Sequence, residues 1–368
     1  MLVERAALLA IFCLGIASAE SLRSSLSEAV ARNNEAVRLA AAGKDAEAEA
    51  LYRAALDARY DDDLTRAKIA NNLAALYERL DRYRDAERLF YSALQWRQKT
   101  LPATSMEIAY SLNNLAEVYR AEGRNWEARN LMETALQTLR QSHRDAPGLP
   151  IMLSNLAIVL CRFGEFDQAE GMLREALVSF DTLQKSDGRE YGVTLGNLGQ
   201  VLEAKDDLEA AVPLYEQAIA IFGHSGPPAR KDLAATLANL GELYERIGRM
   251  EDARQAEQQA LQLLSPEGDG ALRAQILRHL GNIEAKVGSP ADSLPYFEQS
   301  LLIQEKTLGA EHPATASLLL DYSSATLRAG NKSLARKLRK RATDLLARIN
   351  RQAPVQMTVS LRDLQDTK

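Results

Sequence analysis

The chain is short of the residues on which most catalytic and metal chemistry depends. Its 368 residues include two cysteines, four histidines and two tryptophans. Cys13 lies in an N-terminal apolar run and Cys161 lies far downstream, so once that run is removed no internal disulfide is available. Cys161 falls within a helical pattern and reads as a small packed residue. None of His143, His224, His279 and His312 belongs to an HExxH pattern or pairs with a cysteine at zinc spacing. There is no glycine-rich phosphate loop and no G-x-S-x-G turn. Carboxylates are plentiful but dispersed over every helix, so no acid and base pair stands out. The expectation is a protein that is not an enzyme, with no cofactor and no metal site.

Strong positive charge is also missing. The formal net charge is −5, and a phosphate backbone is bound by basic surfaces, so no nucleic acid is expected as partner. The one basic cluster, Lys332, Arg336, Lys337, Arg339, Lys340 and Arg341, falls in the final helical segment and reads as a solvated face. Long apolar runs are absent too. The run from Ala6 to Ile16 is too short to span a bilayer. It follows Arg5 and precedes Ala17-Ser18-Ala19, an A-x-A pattern, so residues 1–19 are expected to be a cleaved secretory signal. The mature chain would carry no membrane span and would be periplasmic or extracellular. An uncleaved N-terminal membrane anchor is the alternative.

What the sequence has in abundance is repetition. Asn71-Asn72-Leu73-Ala74 returns as Asn113-Asn114-Leu115-Ala116, Ser154-Asn155-Leu156-Ala157, Gly196-Asn197-Leu198-Gly199 and Ala238-Asn239-Leu240-Gly241. Arg278-His279-Leu280-Gly281 and Leu320-Asp321-Tyr322-Ser323 are degraded copies. Successive spacings are 42, 41, 42, 42, 40 and 42 residues. A fixed period of this size signals stacked supersecondary units, each covering its neighbours' apolar faces.

Within one unit, Ala70, Leu73, Ala74 and Tyr77 form a stripe at helical spacing. Asp81-Arg82 then interrupts it, where other units place Gly123, Gly164, Gly248, Gly288 and Gly330. Glycine suits a helix C-terminus because it accepts positive φ. A second helix follows, with Tyr83, Ala86, Leu89, Phe90, Ala93 and Leu94 on its buried face. Two of its sites stay small throughout. One holds Ala86, Ala128, Ala169, Ala211, Ala253, Ser293 and Ala335; the other holds Ala93, Ala135, Ala176, Ala218, Ala260, Ser300 and Ala342. Larger side chains there would overpack by about 1–3 kcal/mol. An earlier pair, Ser27 to Ala42 and Ala46 to Tyr60, turns at Gly43 and holds Ala48 and Ala55 at the small sites. Asp61-Asp62-Asp63 then precedes a helix whose N-terminus three acids favour. Repeats six and seven are the most eroded, with Glu284, Pro290, Pro295 and Arg339 at positions of other, often apolar, residues, as befits a capping end. The expected architecture is all-α, with helical repeats over 20–350. The tail from 351 to 368 leaves the pattern and is expected to be disordered.

Counted from Ala67, the unit has Leu at the seventh place, a small residue at the eighth and an aromatic at the eleventh. Ala follows at the twentieth, a large apolar residue at the twenty-fourth and Ala at the twenty-seventh. This resembles the tetratricopeptide repeat. The 42-residue period and the linker from Gln304 through Gly309-Ala310-Glu311-His312-Pro313 to Ala316 resemble the kinesin light chain subclass, and Trp96 to Pro102 is a shortened relative. The resemblance covers about residues 28–349. It implies a right-handed superhelical solenoid of about eight antiparallel helix pairs, whose first helices line a concave groove. In such repeats the residue before the repeated Leu often meets a bound peptide; here that residue is Asn72, Asn114, Asn155, Asn197, Asn239, His279 and then Asp321. A primary amide both donates and accepts, so it can pair with an extended backbone of any sequence. Flanking Arg79, Arg162 and Arg246, with Lys286, Arg328, Arg120 and acidic Glu78, Glu203 and Glu245, would add selectivity. Alternatively, the asparagines bond between adjacent repeats and serve the structure alone.

The functional expectation is an exported scaffold that binds a peptide or partner protein of unspecified identity in its groove, as a monomer or weak self-associate. The alternative is a structural component of an envelope complex acting through its convex face or its ends.

Overall fold

The structure is a computed structural model whose described backbone covers residues 2–142, 146–226, 229–265 and 268–352, with side chains described from residue 22 to 349. The tail expectation for residues 353–368, and the side chains of the expected signal at 1–19, lie outside the described residues. Two compact units divide the chain at Lys185.

The first unit holds α1 (Leu2–Ala41), α2 (Asp45–Leu56), α3 (Asp63–Arg79), α4 (Tyr83–Thr100), α5 (Met106–Ala121), α6 (Asn125–Ser142), α7 (Leu149–Arg162) and α8 (Phe166–Thr182). The second holds α9 (Arg189–Ala204), α10 (Leu208–His224), α11 (Arg230–Arg246), α12 (Met250–Leu263), α13 (Gly270–Val287), α14 (Pro290–Thr307), α15 (Pro313–Arg328) and α16 (Lys332–Gln352). Among the described residues there is no strand. In each unit, odd and even helices pair as consecutive hairpins, four per unit. Within a unit each even helix also packs on the odd helix that follows it, which is the arrangement of an all-α repeat solenoid. The first helix of the first pair begins earlier than the periodicity places it: α1 runs unbroken from Leu2, because no proline interrupts residues 2–41.

The small-residue columns explain the close pairing. Ala86, Ala128, Ala169, Ala211, Ala253 and Ser293 are completely buried, as are Ala93, Ala135, Ala176, Ala218, Ala260 and Ser300. Four residues after the first column stand the large side chains that fill each pair, Phe90, Met132, Leu173, Tyr215 and Phe297, all fully buried or nearly so. The turns behave as their residues require. Gly123, Gly164, Gly248 and Gly330 adopt φ of 77°, 74°, 83° and 87°, and Asp81 takes the same left-handed conformation at 57°. Gly288 departs from that expectation: it caps α13 at φ −106°. The acids before α3 serve its N-terminus, where Asp62 Oδ1 accepts from the Leu64 and Thr65 amides at 3.0 and 3.2 Å.

Candidate functional site

The seven positions before the repeated Leu lie one per first helix, on α3, α5, α7, α9, α11, α13 and α15, and every one is half-buried. In the first unit the amides form cross-repeat bonds. Asn72 Nδ2 donates to Asn33 Oδ1 at 2.9 Å, Asn114 Nδ2 to Asn71 Oδ1 at 2.9 Å, and Asn155 Nδ2 to Asn113 Oδ1 at 3.4 Å. Each bond joins the second position of one repeat to the first position of the repeat before it. Both asparagines of the doubled phrase are therefore used, one as donor and one as acceptor.

The second unit breaks this register. Its first positions are Gly196 and Ala238, which have no side-chain acceptor. Asn239 consequently makes no side-chain hydrogen bond among the described residues, while Asn197 lies half-buried on α9. The next rungs are rebuilt from other chemistry. His279 Nδ1 pairs with Glu257 Oε1 at 2.8 Å, and Arg278 forms an ion pair with Asp321 at 2.5 Å in the first-to-second geometry that Asn71 and Asn114 use. Amide pairs thus give way to charged pairs along the chain.

The flanking cations are mostly occupied in the same cross-repeat sense. Arg79 donates to Asp45 at 2.6 Å and to the Ala40 carbonyl at 3.3 Å. Arg246 reaches Glu203 at 3.1 Å and Asp206 at 3.3 Å, Lys286 reaches Glu245 at 2.5 Å, and Arg328 reaches the Ala285 carbonyl at 3.2 Å. Arg162 differs. It is exposed and makes no hydrogen bond or ion pair among the described residues.

Three carboxylates at or near these positions are held above their ordinary range. Burial raises Glu203, against its hydrogen bond from Tyr215 and the charge of Arg246. Burial, then the negative charge of Glu117, pushes Glu78 up to about 7, against the opposing charge of Arg120. Glu257 is completely buried, and that burial pushes it up to about 7 although the His279 hydrogen bond opposes the rise. Burial also acts to lower His279, but the bond to Glu257 and its charge prevail, and the imidazole is raised. Glu257 takes the twenty-fourth place of its repeat, where five other pairs carry Phe90, Met132, Leu173, Tyr215 and Phe297 and the last pair carries Arg339. Its Oε2 is buried without a hydrogen-bond partner. The repeat phrase does not single out Glu257. Its signal in the sequence is a lone acid at a place that five other pairs fill with a large core side chain.

At the turn edge of the first unit, Trp126 is 60% exposed in a place held elsewhere by Arg84, Asp167, Glu209, Glu251, Ala291 and Ser333. It meets Phe163 edge-on at 5.7 Å, with the Arg129 guanidinium 5.8 and 5.5 Å from the two rings. Among the described residues no group of three or more His, Cys, Asp or Glu could hold a metal ion. No described helix is long and apolar enough to cross a membrane.

Comparison with known proteins agrees with this architecture. A tetratricopeptide repeat model matches residues 65–141, 148–223 and 272–348, and a second such model matches 236–271. No curated protein sequence matches the chain. The crystal structure of BtubC (BKLC) from P. vanneervenii is 25% identical over 66% of this chain and 91% of that one, with a TM-score of 0.48. A Podosopora anserina putative kinesin light chain with nearly identical TPR-like repeats is 20% identical over 56% of this chain and 99% of that one, with a TM-score of 0.47. The APC/C hetero-tetramer Cut9-Hcn1 matches at 18% identity over 75% of this chain and 42% of that chain, with a TM-score of 0.53, a likeness of fold alone.

Proposed function

The chain belongs to the tetratricopeptide repeat family, whose members generally serve as non-enzymatic scaffolds for other proteins, and from that premise we propose that it is an exported scaffold holding a peptide or partner protein against its first helices. The row of half-buried amides carries this reading. An amide has two N–H donors and a carbonyl with two lone pairs. The cross-repeat bonds of Asn72, Asn114 and Asn155 each engage one donor, leaving capacity for an extended backbone. Asn239 keeps its whole amide for a ligand, and the exposed Arg162 adds a free cation at the repeat position that Arg79 and Arg246 hold in theirs. Export rests on Arg5, the apolar run to Ile16 and Ala17-Ser18-Ala19.

The test is capture from an envelope and secretome extract, with residues 20–368 as bait beside a folded variant in which Asn72, Asn114, Asn155, Asn197 and Asn239 are all alanine. Partners held by the first and lost by the second support the reading. Equal retention by both defeats it. N-terminal sequencing of the protein recovered from its cell tests export: a start near Glu20 agrees, and a start at Met1 leaves the membrane-anchored form.

A second reading is assembly through the outer surface, favoured by the exposed Trp126 beside Phe163 and Arg129. Trp126→Ala that removes partners still held by the five-alanine variant would put this reading first.

A further inference from the structure

The second unit contains a polar cluster that its cross-repeat bonding does not explain. Glu257 rises from α12 into the space that Phe90, Met132, Leu173, Tyr215 and Phe297 fill in five other pairs. It fits because position 241 is glycine: a Cβ there would lie 2.8 Å from Glu257 Cγ. The carboxylate then reaches α13, where Oε1 meets His279 Nδ1 at 2.8 Å. Its other oxygen is buried and unpartnered, a costly arrangement for a carboxylate unless something else compensates it.

The surroundings are acidic. From α11, Glu242 and Glu245 act on the Glu257 carboxylate, and Glu242 acts on His279 as well. Glu245 is satisfied by Lys286 at 2.5 Å, whereas Glu242 is exposed and has no ion pair among the described residues. From α13, the nearby Arg278 is already neutralised by Asp321 at 2.5 Å. Asn239, three residues before Glu242 and so on the same side of α11, brings a free amide. His279 is the member of the buried pair that meets solvent, with a side chain 17% exposed. When Nδ1–H donates to Glu257, Nε2 is left with a lone pair that an N–H can use.

Resting on the scaffold reading above, we propose that Glu242, Glu257 and His279, with the Asn239 amide beside them, form a subsite for a cationic side chain of the bound segment, a lysine or an arginine, which enters in competition with a proton. The ligand's ammonium or guanidinium sits against the Glu242 carboxylate and donates an N–H to His279 Nε2. Glu257, behind the ring, acts as the positioning residue: it fixes the tautomer and supplies the charge that the ligand balances. Without ligand, a proton shared by Glu257 and His279 supplies that balance instead. Binding therefore releases a proton, and affinity rises as the pair deprotonates. Burial holds that deprotonation near neutrality.

The probe is an acetylated, amidated peptide of five Gly-Lys repeats, with Gly-Glu and Gly-Gln peptides as controls, titrated against residues 20–368 in 150 mM salt. The lysine peptide should bind about tenfold more tightly at pH 8 than at pH 6, as one released proton with a midpoint near 7 requires. Calorimetry in buffers of different ionisation enthalpy should show that proton leaving. Glu257→Gln should abolish both the pH dependence and the proton release. Glu242→Gln, which leaves the core untouched, should weaken binding at pH 8 without changing the fold. Equal affinity at both pH values, binding unaffected by Glu242→Gln, or preference for the glutamate or glutamine peptide would each overturn the subsite. The five-alanine variant loses the Asn239 amide of this subsite but keeps Glu242, Glu257 and His279. The peptide titration is run on the chain with all five asparagines in place, so its outcome is separate from that of the capture experiment.

Discussion

Asn114 Nδ2 donates to Asn71 Oδ1 at 2.9 Å, across 43 residues of sequence and between two adjacent repeats. The bond shows why the doubled asparagine recurs. The second residue of one phrase holds the first residue of the phrase before, so a single repeat has a partner only when stacked. The same pairing tilts the amide row toward a structural duty in the first unit, while spare donors and acceptors leave it open to ligand.

The two asparagines should therefore be thermodynamically coupled. Removing either one is expected to cost about 1 kcal/mol, the net worth of a typical hydrogen bond. The Asn71→Ala and Asn114→Ala changes should be less than additive by about 0.5–1 kcal/mol in a double-mutant cycle read by urea denaturation. Strict additivity would mean the bond contributes nothing.

Glycines in the repeat phrase should divide sharply. At Gly241 an added Cβ would press on Glu257 Cγ at 2.8 Å, so Gly241→Ala should destabilise the protein by about 1–3 kcal/mol. Gly196 has nothing within 4 Å of its Cβ position and sits inside α9. Gly196→Ala should stabilise by about 0.5–1 kcal/mol by removing backbone freedom from the unfolded chain. Thermal unfolding of both variants checks the opposite signs.

Stability should fall as pH rises toward 8. Glu257 is raised from about 4.5 when unfolded to about 7 when folded, so the folded chain binds more protons between those values. Its contribution is complete below pH 4.5 and is lost as pH rises through 7; integrated, the loss is on the order of 3 kcal/mol. His279, also raised, adds a loss of the same sign. Glu257→Gln should flatten the profile measured by denaturant melts from pH 5 to 8. A wild-type profile already flat in that window would refute the assignment.

Cys161 should be a sluggish thiol. It is half-buried on α7, and burial pushes its pKa up, against the weaker influence of Arg162. The thiolate is the reactive form, so labelling by a maleimide or disulfide reagent at pH 7 should run well behind a free cysteine and catch up in denaturant. Labelling at the free-cysteine rate would show the site is open.

The period, the helix pairing and the small-residue columns were legible in the sequence because they follow from local rules. Apolar residues at helical spacing make an amphipathic helix, glycine or aspartate at a turn accepts positive φ, and alanine recurring at a fixed place marks close packing. Ala86, Ala93 and their counterparts say this without coordinates. Tertiary structure alone decided which side chains answer one another. Nothing local to Asn114 reveals that its partner is Asn71, nor that Arg278 and Asp321 occupy the same relation with charges in place of amides. The meaning of Glu257 is settled in the same way. As a residue it is one of fifty acids. Folded against Gly241 and under His279, it is a buried carboxylate with an oxygen to spare, since burial and hydrogen bonding depend on elements that meet only when the repeats stack.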